Sequence, residues 1–391
     1  MNDRTRGWLE LTRISNLPTV LSSAMVGTVF LGGWSFLTGL SFAHFILPTV
    51  AICLFYIAGF IFNDLFDRRI DAVERPDRPI PSGRVDPRAA MQVGAFLMIA
   101  GILTIFMLER HGVPEADRGF PVGTIAAALL VLLILAYDRF HTRSSWWVFG
   151  MGGCRAMVYL VCILTVQGLV FNPQTFGVTP MNVLSIYLAW PEIILISPFP
   201  FILTMLIYVS AFSRIARGEV APDGEGSHYC DACGYLVIDT TRSACSECGH
   251  ELDPETLERT TTPPMKRWLR TLCLAGILLP SLYLFLLSAY RFSMSLYFAL
   301  FSGQSSPNEI WILMCVEMAL GLTVLGWQIF AMSRYLRDPH QLKRPIQMWI
   351  AGIPLIEALF IFSFTSSVTI TVFCLICFFV TIWGHRRVSG T

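Results

Sequence analysis

Ten apolar runs, each about as long as a membrane is thick, determine which kind of fold this sequence can adopt. A helix of about 20 mostly apolar residues crosses the core of a bilayer. Only 14% of the 391 residues are charged, against roughly 25% in soluble domains. The runs cover residues 16–34, 42–63, 90–108, 120–137, 146–169, 193–213, 268–290, 310–333, 346–363 and 366–384. We predict an all-α, polytopic membrane bundle of nine or ten transmembrane helices, because the last two runs form either two spans or one broken hairpin.

The distribution of basic residues predicts how this bundle lies in the membrane. Loops rich in Lys and Arg prefer the cytoplasmic side of a membrane. If the N-terminus lies in the cytoplasm, all but four of the 28 Lys and Arg residues fall on that side. The four exceptions are Arg110, Arg118, Arg155 and Arg291. The opening MNDRTRGWLE lacks the pattern of a signal peptide, and we expect an integral protein of a bacterial inner membrane. A net charge of +1 gives no indication of a nucleic-acid partner.

A dense group of charges, NDLFDRRID, follows the second apolar run. Asp64, Asp67 and Asp71 stand at positions i, i+3 and i+7, so a continuous helix places them on one face with Asn63 at its edge. Three neighbouring carboxylates repel one another, and a divalent cation relieves this repulsion. Because Mg²⁺ prefers oxygen ligands and bridges one or two carboxylates to phosphate groups, these four residues are candidate Mg²⁺ ligands.

The next segment, RPDRPIPSGR, combines arginines with prolines that end the helix and stiffen the loop. Arg75 and Arg78 can make forked contacts with phosphate oxygens. Acids followed by an arginine loop predict a clamp for a metal ion and a diphosphate on the cytoplasmic side. The alternative is a solvated helix end, in which the same acids and arginines form local ion pairs.

The whole segment NDLFDRRIDAVERPDRPIPSGR resembles the first aspartate-rich motif of the UbiA superfamily of intramembrane prenyltransferases, NDxxDxxxD followed by RPxRPIPSG. RISNLPTV is similar to the opening of the family's first helix, and GGCRAMVYL is similar to its fifth-helix motif. YDRFH stands where the family often has a Tyr-x-x-x-Lys segment. The resemblance covers residues 8–219 with specific motifs and 265–384 only as a pattern of helices.

The resemblance implies a helical bundle whose central cavity opens toward the membrane. It implies a membrane prenyltransferase that moves a polyprenyl group from a prenyl diphosphate to a small acceptor, such as an aromatic compound, by Mg²⁺-assisted ionisation in a dry cavity. Asn63, Asp64, Asp67 and Asp71 would be the catalytic Mg²⁺ ligands. The side chains that it implies for the diphosphate are Arg13, Asn16, Arg75, Arg78, Tyr137, His141 and Arg155.

The sequence departs from the family where the second aspartate-rich motif belongs, at the cytoplasmic end of the sixth apolar run. That place reads SAFSRIARGE and contains no DxxxD. In one interpretation, Arg214, Arg217 and Glu219 replace the motif and bind the diphosphate or assist a metal. In the other, the chain is a non-catalytic lipid-diphosphate-binding or transport-associated protein on the same fold. His141 also replaces the family's usual lysine, and a histidine titrates near neutral pH.

A cysteine-rich insert separates the sixth and seventh apolar runs. Cys230-x2-Cys233 and Cys245-x2-Cys248 are each followed by glycine, and four thiolates at this spacing suit a tetrahedral Zn²⁺. The insert resembles a zinc ribbon, with rubredoxin-like iron as the second candidate. Since so short a segment has little core of its own, metal binding would supply its folding energy. We expect a structural zinc in an insert that caps the cavity mouth or binds a protein partner.

These features divide the chain into three parts. Residues 8–219 form the N-terminal part of the bundle, with the first aspartate motif. Residues 222–262 form the cytoplasmic zinc-ribbon-like insert, and 265–385 form the remaining transmembrane helices. We expect the partners of the protein to be a prenyl diphosphate, a small acceptor and the bilayer itself.

Overall fold

The computed structural model describes twelve α-helices and two short strands. It covers residues 2–30, 43–111, 120–141, 145–170, 198–216, 228–230, 236–237, 244–245, 249–252, 267–301, 308–338 and 342–387. The helices are α1 Asp3–Leu11, α2 Leu17–Phe30, α3 Ala43–Phe66, α4 Arg68–Glu74, α5 Pro87–Arg110, α6 Val122–Phe140, α7 Val148–Val170, α8 Pro198–Ala216, α9 Arg267–Phe301, α10 Asn308–Arg337, α11 Lys343–Thr365 and α12 Val368–Arg387. The strands are β1 His228–Tyr229 and β2 Leu236–Val237.

Nine helices in the described part of the chain are long and apolar enough to cross a membrane, namely α3 and α5 to α12. The predicted all-α, polytopic membrane bundle is therefore confirmed. The tenth predicted run, 16–34, begins as α2 and continues outside the described residues. The last two runs form two separate helices, because Ser366 adopts a left-handed conformation (φ 50°) that ends α11 before α12 begins.

Helix α11 lies at the centre of the larger hydrophobic core and packs against α2, α10 and α12. Its side chains are buried almost without interruption between Trp349 and Phe362, as expected for a helix surrounded by other helices. The Phe360 ring stacks on Phe201 of α8, with 3.7 Å between the ring centroids. In lipid, such contacts stabilise the bundle through close packing rather than through transfer from water.

A second core joins α2, α3, α5, α6 and α7 on the N-terminal side of the bundle. Helix α7 also approaches α8 closely at Gly152. A Cβ atom at this position would collide with the carbonyl oxygen of Leu206 and the hydroxyl of Ser210, so only glycine fits here.

At the other end of the bundle, the Glu109 carboxylate accepts hydrogen bonds from the first N–H groups of α6 and caps that helix.

The described part of the insert contains a small antiparallel β-ladder. Strands β1 and β2 pair with His228 opposite Val237. Cys230 follows β1 directly and is buried, as is Cys245. The Cys245 N–H donates a hydrogen bond to the His250 carbonyl oxygen at 2.8 Å, and Gly249 has a φ of 73°. Cys233 and Cys248 lie outside the described residues, so the predicted metal site and the three domain boundaries stay predictions.

Candidate active site

A cavity of about 330 Å³ lies between α2, α3, α6, α7 and α8, with α11 contributing two isoleucines. Most of its lining is apolar: Ile52, Phe55, Leu130, Ile134, Val158, Val209, Phe212, Ile350 and Ile353. The polar lining side chains cluster where α3 and α6 end and α2 and α7 begin, so they share one end of the bundle: Arg13, Asn16, Asn63, Tyr137, Asp138, His141 and Arg155. This division suits an amphipathic ligand with a charged head and an apolar tail.

The aspartate-rich segment keeps helical geometry across the junction between α3 and α4. The Asp67 N–H bonds the Asn63 carbonyl oxygen, and the Asp71 N–H bonds the Asp67 carbonyl oxygen, both at 2.9 Å. Asp64 and Asp71 therefore reach the same neighbour, Arg78, as their spacing predicts.

Arg78 holds two of the predicted metal-binding carboxylates. Its Nη1 lies 2.7 Å from Asp71 Oδ2 and 3.3 Å from Asp64 Oδ1, and these acids are only 4% and 6% exposed. The Arg13 guanidinium adds a second contact to Asp64, at 3.5 Å. The predicted arginine loop therefore folds back over the acids, and two arginines balance two buried carboxylates.

Arg13 is held in position by its own backbone as well as by its charge. Its φ of 41° is left-handed and unfavourable for a residue with a Cβ atom. The Tyr56 hydroxyl donates to the Arg13 carbonyl oxygen at 3.1 Å, and the guanidinium lies 4.5 Å from the centre of the Phe60 ring. The guanidinium is thus preorganised at the cavity mouth.

Asp67 has different neighbours from the other two acids. Asn63 Nδ2 donates to Asp67 Oδ2 at 3.2 Å, and His141 Nε2 lies 3.7 Å from the same oxygen. Burial, followed by the nearby carboxylates of Asp71 and Asp64, raises the pKa of Asp67 to about 7. The ionised carboxylate is therefore costly unless a cation binds to it.

The four predicted Mg²⁺ ligands thus separate into two pairs. Asp64 and Asp71 bind arginine, whereas Asn63 lines the cavity and Asp67 contacts the lining residues Asn63 and His141. Within the described residues, no three His, Cys, Asp or Glu side chains converge closely enough to enclose one metal ion. Two oxygen donors nevertheless fit Mg²⁺, which commonly uses one or two protein ligands and takes the others from phosphate and water.

Asp138 lines the cavity but is absent from the sequence-based set of site residues. It lies in the last turn of α6, is only 5% exposed and interacts electrostatically with Asp67, Arg13 and Asp64. The sequence contained a signal for this residue, because an acid at the end of an apolar run is costly, as it is at Asp64. The Tyr-x-x-x-Lys pattern of the family specifies no residue at the position of Asp138.

Arg155 lies deeper in the bundle than the other arginines of the site. Its Nη1 donates to the Thr19 carbonyl oxygen at 3.0 Å and to Ser23 Oγ at 2.7 Å. Ser23 and the Tyr159 hydroxyl both donate to Oε1 of Glu357 at 2.5 Å, and Glu357 is fully buried in α11. A polar network therefore joins α2, α7 and α11, and Arg155 connects this network to the cavity.

The remaining predicted site residues are spread more widely. Asn16 lines the cavity, and its Oδ1 lies 2.6 Å from His385 Nε2 in α12. The Tyr137 ring stacks on His141. Arg75 and Arg214 are not among the residues that line the cavity, and Arg75 is exposed. Arg217 and Glu219 lie outside the described residues.

Comparison with known proteins decides the family. The sequence pattern of the UbiA prenyltransferase family matches residues 20–217, about half of the chain. The chain belongs to this family. A solved structure described as digeranylgeranylglyceryl phosphate synthase in membranes superposes with a TM-score of 0.50, covering 94% of this chain and 100% of the other. At 16% sequence identity, this likeness shows the shared UbiA fold.

Two curated relatives match over shorter segments. A digeranylgeranylglyceryl phosphate synthase from Natronomonas pharaonis is 39% identical over 106 residues, which are 27% of this chain and 36% of the relative. The enzyme of the same name from Methanothrix thermoacetophila is 41% identical over 111 residues, 28% of this chain and 42% of the relative. The chain thus spans less than half the length of these relatives.

The departure from the UbiA pattern in the sixth predicted span also has a structural counterpart. The end of α8 places the apolar side chains of Val209 and Phe212 in the cavity. Among the described residues, the carboxylate that lines the cavity is that of Asp138 in α6. Asp67, at the α3–α4 junction, lies beside the lining residue His141.

Proposed function

We propose that this protein is an integral-membrane prenyltransferase that transfers a polyprenyl group from a prenyl diphosphate to a small acceptor. The observation that carries the proposal is the cavity, which has an apolar interior and a polar end lined by Asn63 and Arg13, with Asp67 accepting a hydrogen bond from Asn63 beside it. A prenyl diphosphate has the same division, with an apolar chain and a multiply charged head.

Each part of the site has a separate task in this proposal. Asn63 and Asp67 would hold Mg²⁺, which would neutralise the charge that builds up on the leaving group. Arg13 and Arg78 add positive charge beside it, and they do so from positions already fixed by Asp64. The apolar wall excludes water from the allylic cation that ionisation leaves behind.

The mouth of the cavity faces the cytoplasm in our proposal. The surface next to it carries the exposed basic side chains of Arg68, Arg69 and Arg75, and basic residues favour the cytoplasmic side of a membrane. Soluble Mg²⁺ and diphosphate then reach the site directly.

The relatives suggest which acceptors to test first. Two of them are named for digeranylgeranylglyceryl phosphate, a product that carries two geranylgeranyl groups. A geranylgeranylated glyceryl phosphate therefore belongs in the acceptor panel, beside aromatic acids, quinone precursors, tetrapyrroles and sugar phosphates.

Release of pyrophosphate tests the function. Purified protein in lipid nanodiscs would receive geranylgeranyl, farnesyl or dimethylallyl diphosphate, Mg²⁺ and the acceptor panel. We expect release that requires both Mg²⁺ and an acceptor. Asp67→Asn should lower the rate by about a hundredfold, the scale expected when one charge-stabilising group is lost.

The matched control is Asp77→Asn, which changes an exposed carboxylate in the adjacent loop and should leave the rate unchanged. Tight binding of the diphosphate without release would instead support a lipid-diphosphate-binding protein on the UbiA fold, the alternative that the altered sixth span raises. A wild-type protein that neither binds nor releases would contradict the proposal.

We also propose that the insert binds one structural Zn²⁺ through Cys230, Cys233, Cys245 and Cys248. Support comes from the short ladder of β1 and β2, the burial of Cys230 and Cys245, and the positive φ of Gly249 directly after the second cysteine pair. A glycine in this conformation lets the chain turn tightly around a metal.

Elemental analysis of the purified protein should therefore find about one zinc per chain. Cys230→Ser together with Cys245→Ser should remove the zinc, and the insert should become sensitive to protease because its folding energy comes from the metal. Cys315→Ser, an exposed cysteine in α10, is the control that should retain the zinc. Native protein without zinc, or with iron in its place, would contradict this assignment.

A further inference from the structure

Asp138 is a buried acid whose surroundings give it no structural task. Its side-chain Oδ2 has no hydrogen-bond partner among the described residues. Burial of an ionised carboxylate without a partner costs several kcal/mol. If this side chain served only to pack the helix, an asparagine or a leucine at the same position would avoid this cost.

The helix that carries Asp138 also disfavours a negative charge at this position. The residue lies in the last turn of α6, where the exposed carbonyl groups give the helix end a partial negative charge. Asp138 is therefore not a helix cap, and its charge opposes the helix dipole. The acid weakens α6 rather than stabilising it.

The charged groups around Asp138 strengthen this argument. Its principal electrostatic neighbours are the two acids Asp67 and Asp64 and the single cation Arg13. Arg13 already contacts Asp64, so the net charge around Asp138 is negative. A positive ligand at the cavity mouth would relieve this repulsion.

His141 connects Asp138 to the acids of α3. Its Nδ1 lies 3.2 Å from the Asp138 carbonyl oxygen, and since a carbonyl only accepts, Nδ1 is the donor. Its Nε2 faces Asp67 at 3.7 Å. The last turn of α6 is thereby held against the α3–α4 junction. Asp138 and His141 line the cavity, and Asp67 lies beside His141.

We propose that Asp138 is a further ligand for a divalent cation, so that the cation and the diphosphate head are held between the ends of α3 and α6. The second helix of the clamp is then α6, whereas α8 contributes only apolar side chains to the described cavity. This inference rests on the proposed function, because it assigns another residue to the same site.

Binding of Mn²⁺, a spectroscopic substitute for Mg²⁺, tests the inference without catalysis. Electron paramagnetic resonance would measure free Mn²⁺ over the full-length protein in nanodiscs, with inorganic pyrophosphate present. We expect Asp138→Asn to weaken Mn²⁺ binding by about tenfold or more, since loss even of a supporting partner of a metal ligand costs tenfold to a hundredfold. Thermal stability should stay equal or rise, because a buried, unpaired charge is removed.

Three further variants separate the outcomes. Asp138→Ser gives a second test if the asparagine variant does not fold, and Asp77→Asn is the matched control that should bind Mn²⁺ normally. Weaker binding in Asp138→Asn or Asp138→Ser but not in Asp77→Asn supports the inference. Normal binding in folded Asp138 variants, with a loss only in Asp67→Asn, overturns the role of Asp138 and leaves the proposed function intact. A wild-type protein that binds no Mn²⁺ with pyrophosphate overturns both.

Discussion

Arg78→Met is expected to lower the free energy of unfolding by about 3 kcal/mol and to eliminate detectable pyrophosphate release. The substitution keeps an unbranched apolar stem but removes the cation that lies between Asp64 and Asp71. Both carboxylates are buried, and removing one partner of a buried ion pair costs roughly 3–5 kcal/mol. We place the estimate at the lower end because Arg78 is partly exposed and Arg13 still contacts Asp64. SDS titration in mixed micelles would measure the stability.

Arg84→Met provides the matched control. Arg84 belongs to the same loop, and its Nη1 lies 2.7 Å from Glu10, but Glu10 is well exposed. Surface ion pairs contribute only about 0.2–1 kcal/mol, so this variant should be nearly as stable as the wild type and fully active. If Arg78→Met proves as stable as Arg84→Met, the bridging role of Arg78 is wrong.

A double variant separates the structural role of Arg78 from its functional role. Adding Asp71→Asn to Arg78→Met removes one of the two carboxylates that lose their partner. We expect part of the stability to return, because less uncompensated charge is buried. Pyrophosphate release should stay absent, because the guanidinium of Arg78 is still missing from the diphosphate site.

Glu357→Leu is expected to cost about 3–5 kcal/mol, the range for removing one partner of a buried charged network. The carboxylate accepts hydrogen bonds from Ser23 and Tyr159, and Ser23 in turn accepts from Arg155. Leucine leaves the buried Tyr159 hydroxyl without its acceptor and leaves Ser23 only the Thr19 carbonyl oxygen. It also removes a carboxylate that attracts the Arg155 charge. Because the network joins three helices, the midpoint temperature of thermal unfolding and the SDS concentration at the unfolding midpoint should both fall.

Glu357→Gln tests which part of this cost comes from charge. Glutamine keeps an acceptor oxygen for Ser23 and Tyr159, and hydrogen bonds between membrane helices contribute about 0.6 kcal/mol on average. We expect a loss of about 1 kcal/mol, clearly smaller than for leucine. Asp77→Asn in the exposed loop should change stability by less than about 0.5 kcal/mol. A leucine variant as stable as the wild type would show that the network is dispensable.

Much of the architecture could be predicted because it depends on local sequence. A run of apolar residues must span the bilayer as a helix, since lipid offers no partner for free backbone groups. The approximate positions of the spans follow from this requirement, whereas the structure decided that a left-handed turn at Ser366 separates the last two. The grouping of Asp64, Asp71 and Arg78 was equally accessible, because all three lie within fifteen consecutive residues and the helical period determines which side chains share a face.

The tertiary structure decided which partner each of these groups has. Periodicity places Asp64, Asp67 and Asp71 on one face, but only the fold shows that arginines bind two of them and that the third meets Asn63 and His141. Contacts such as Ser23 with Glu357 and Asn16 with His385 join opposite ends of the chain.

By itself, the sequence determined the class of fold, the spans and the chemistry of the first motif, because bilayer thickness and helix period act within a short stretch of chain. The structure decided the depth of Arg155, the place of Asp138 in the cavity and the role of α11 as the central helix. These features depend on how helices distant in sequence pack together, and helix packing is set by the shapes of facing surfaces rather than by any local period.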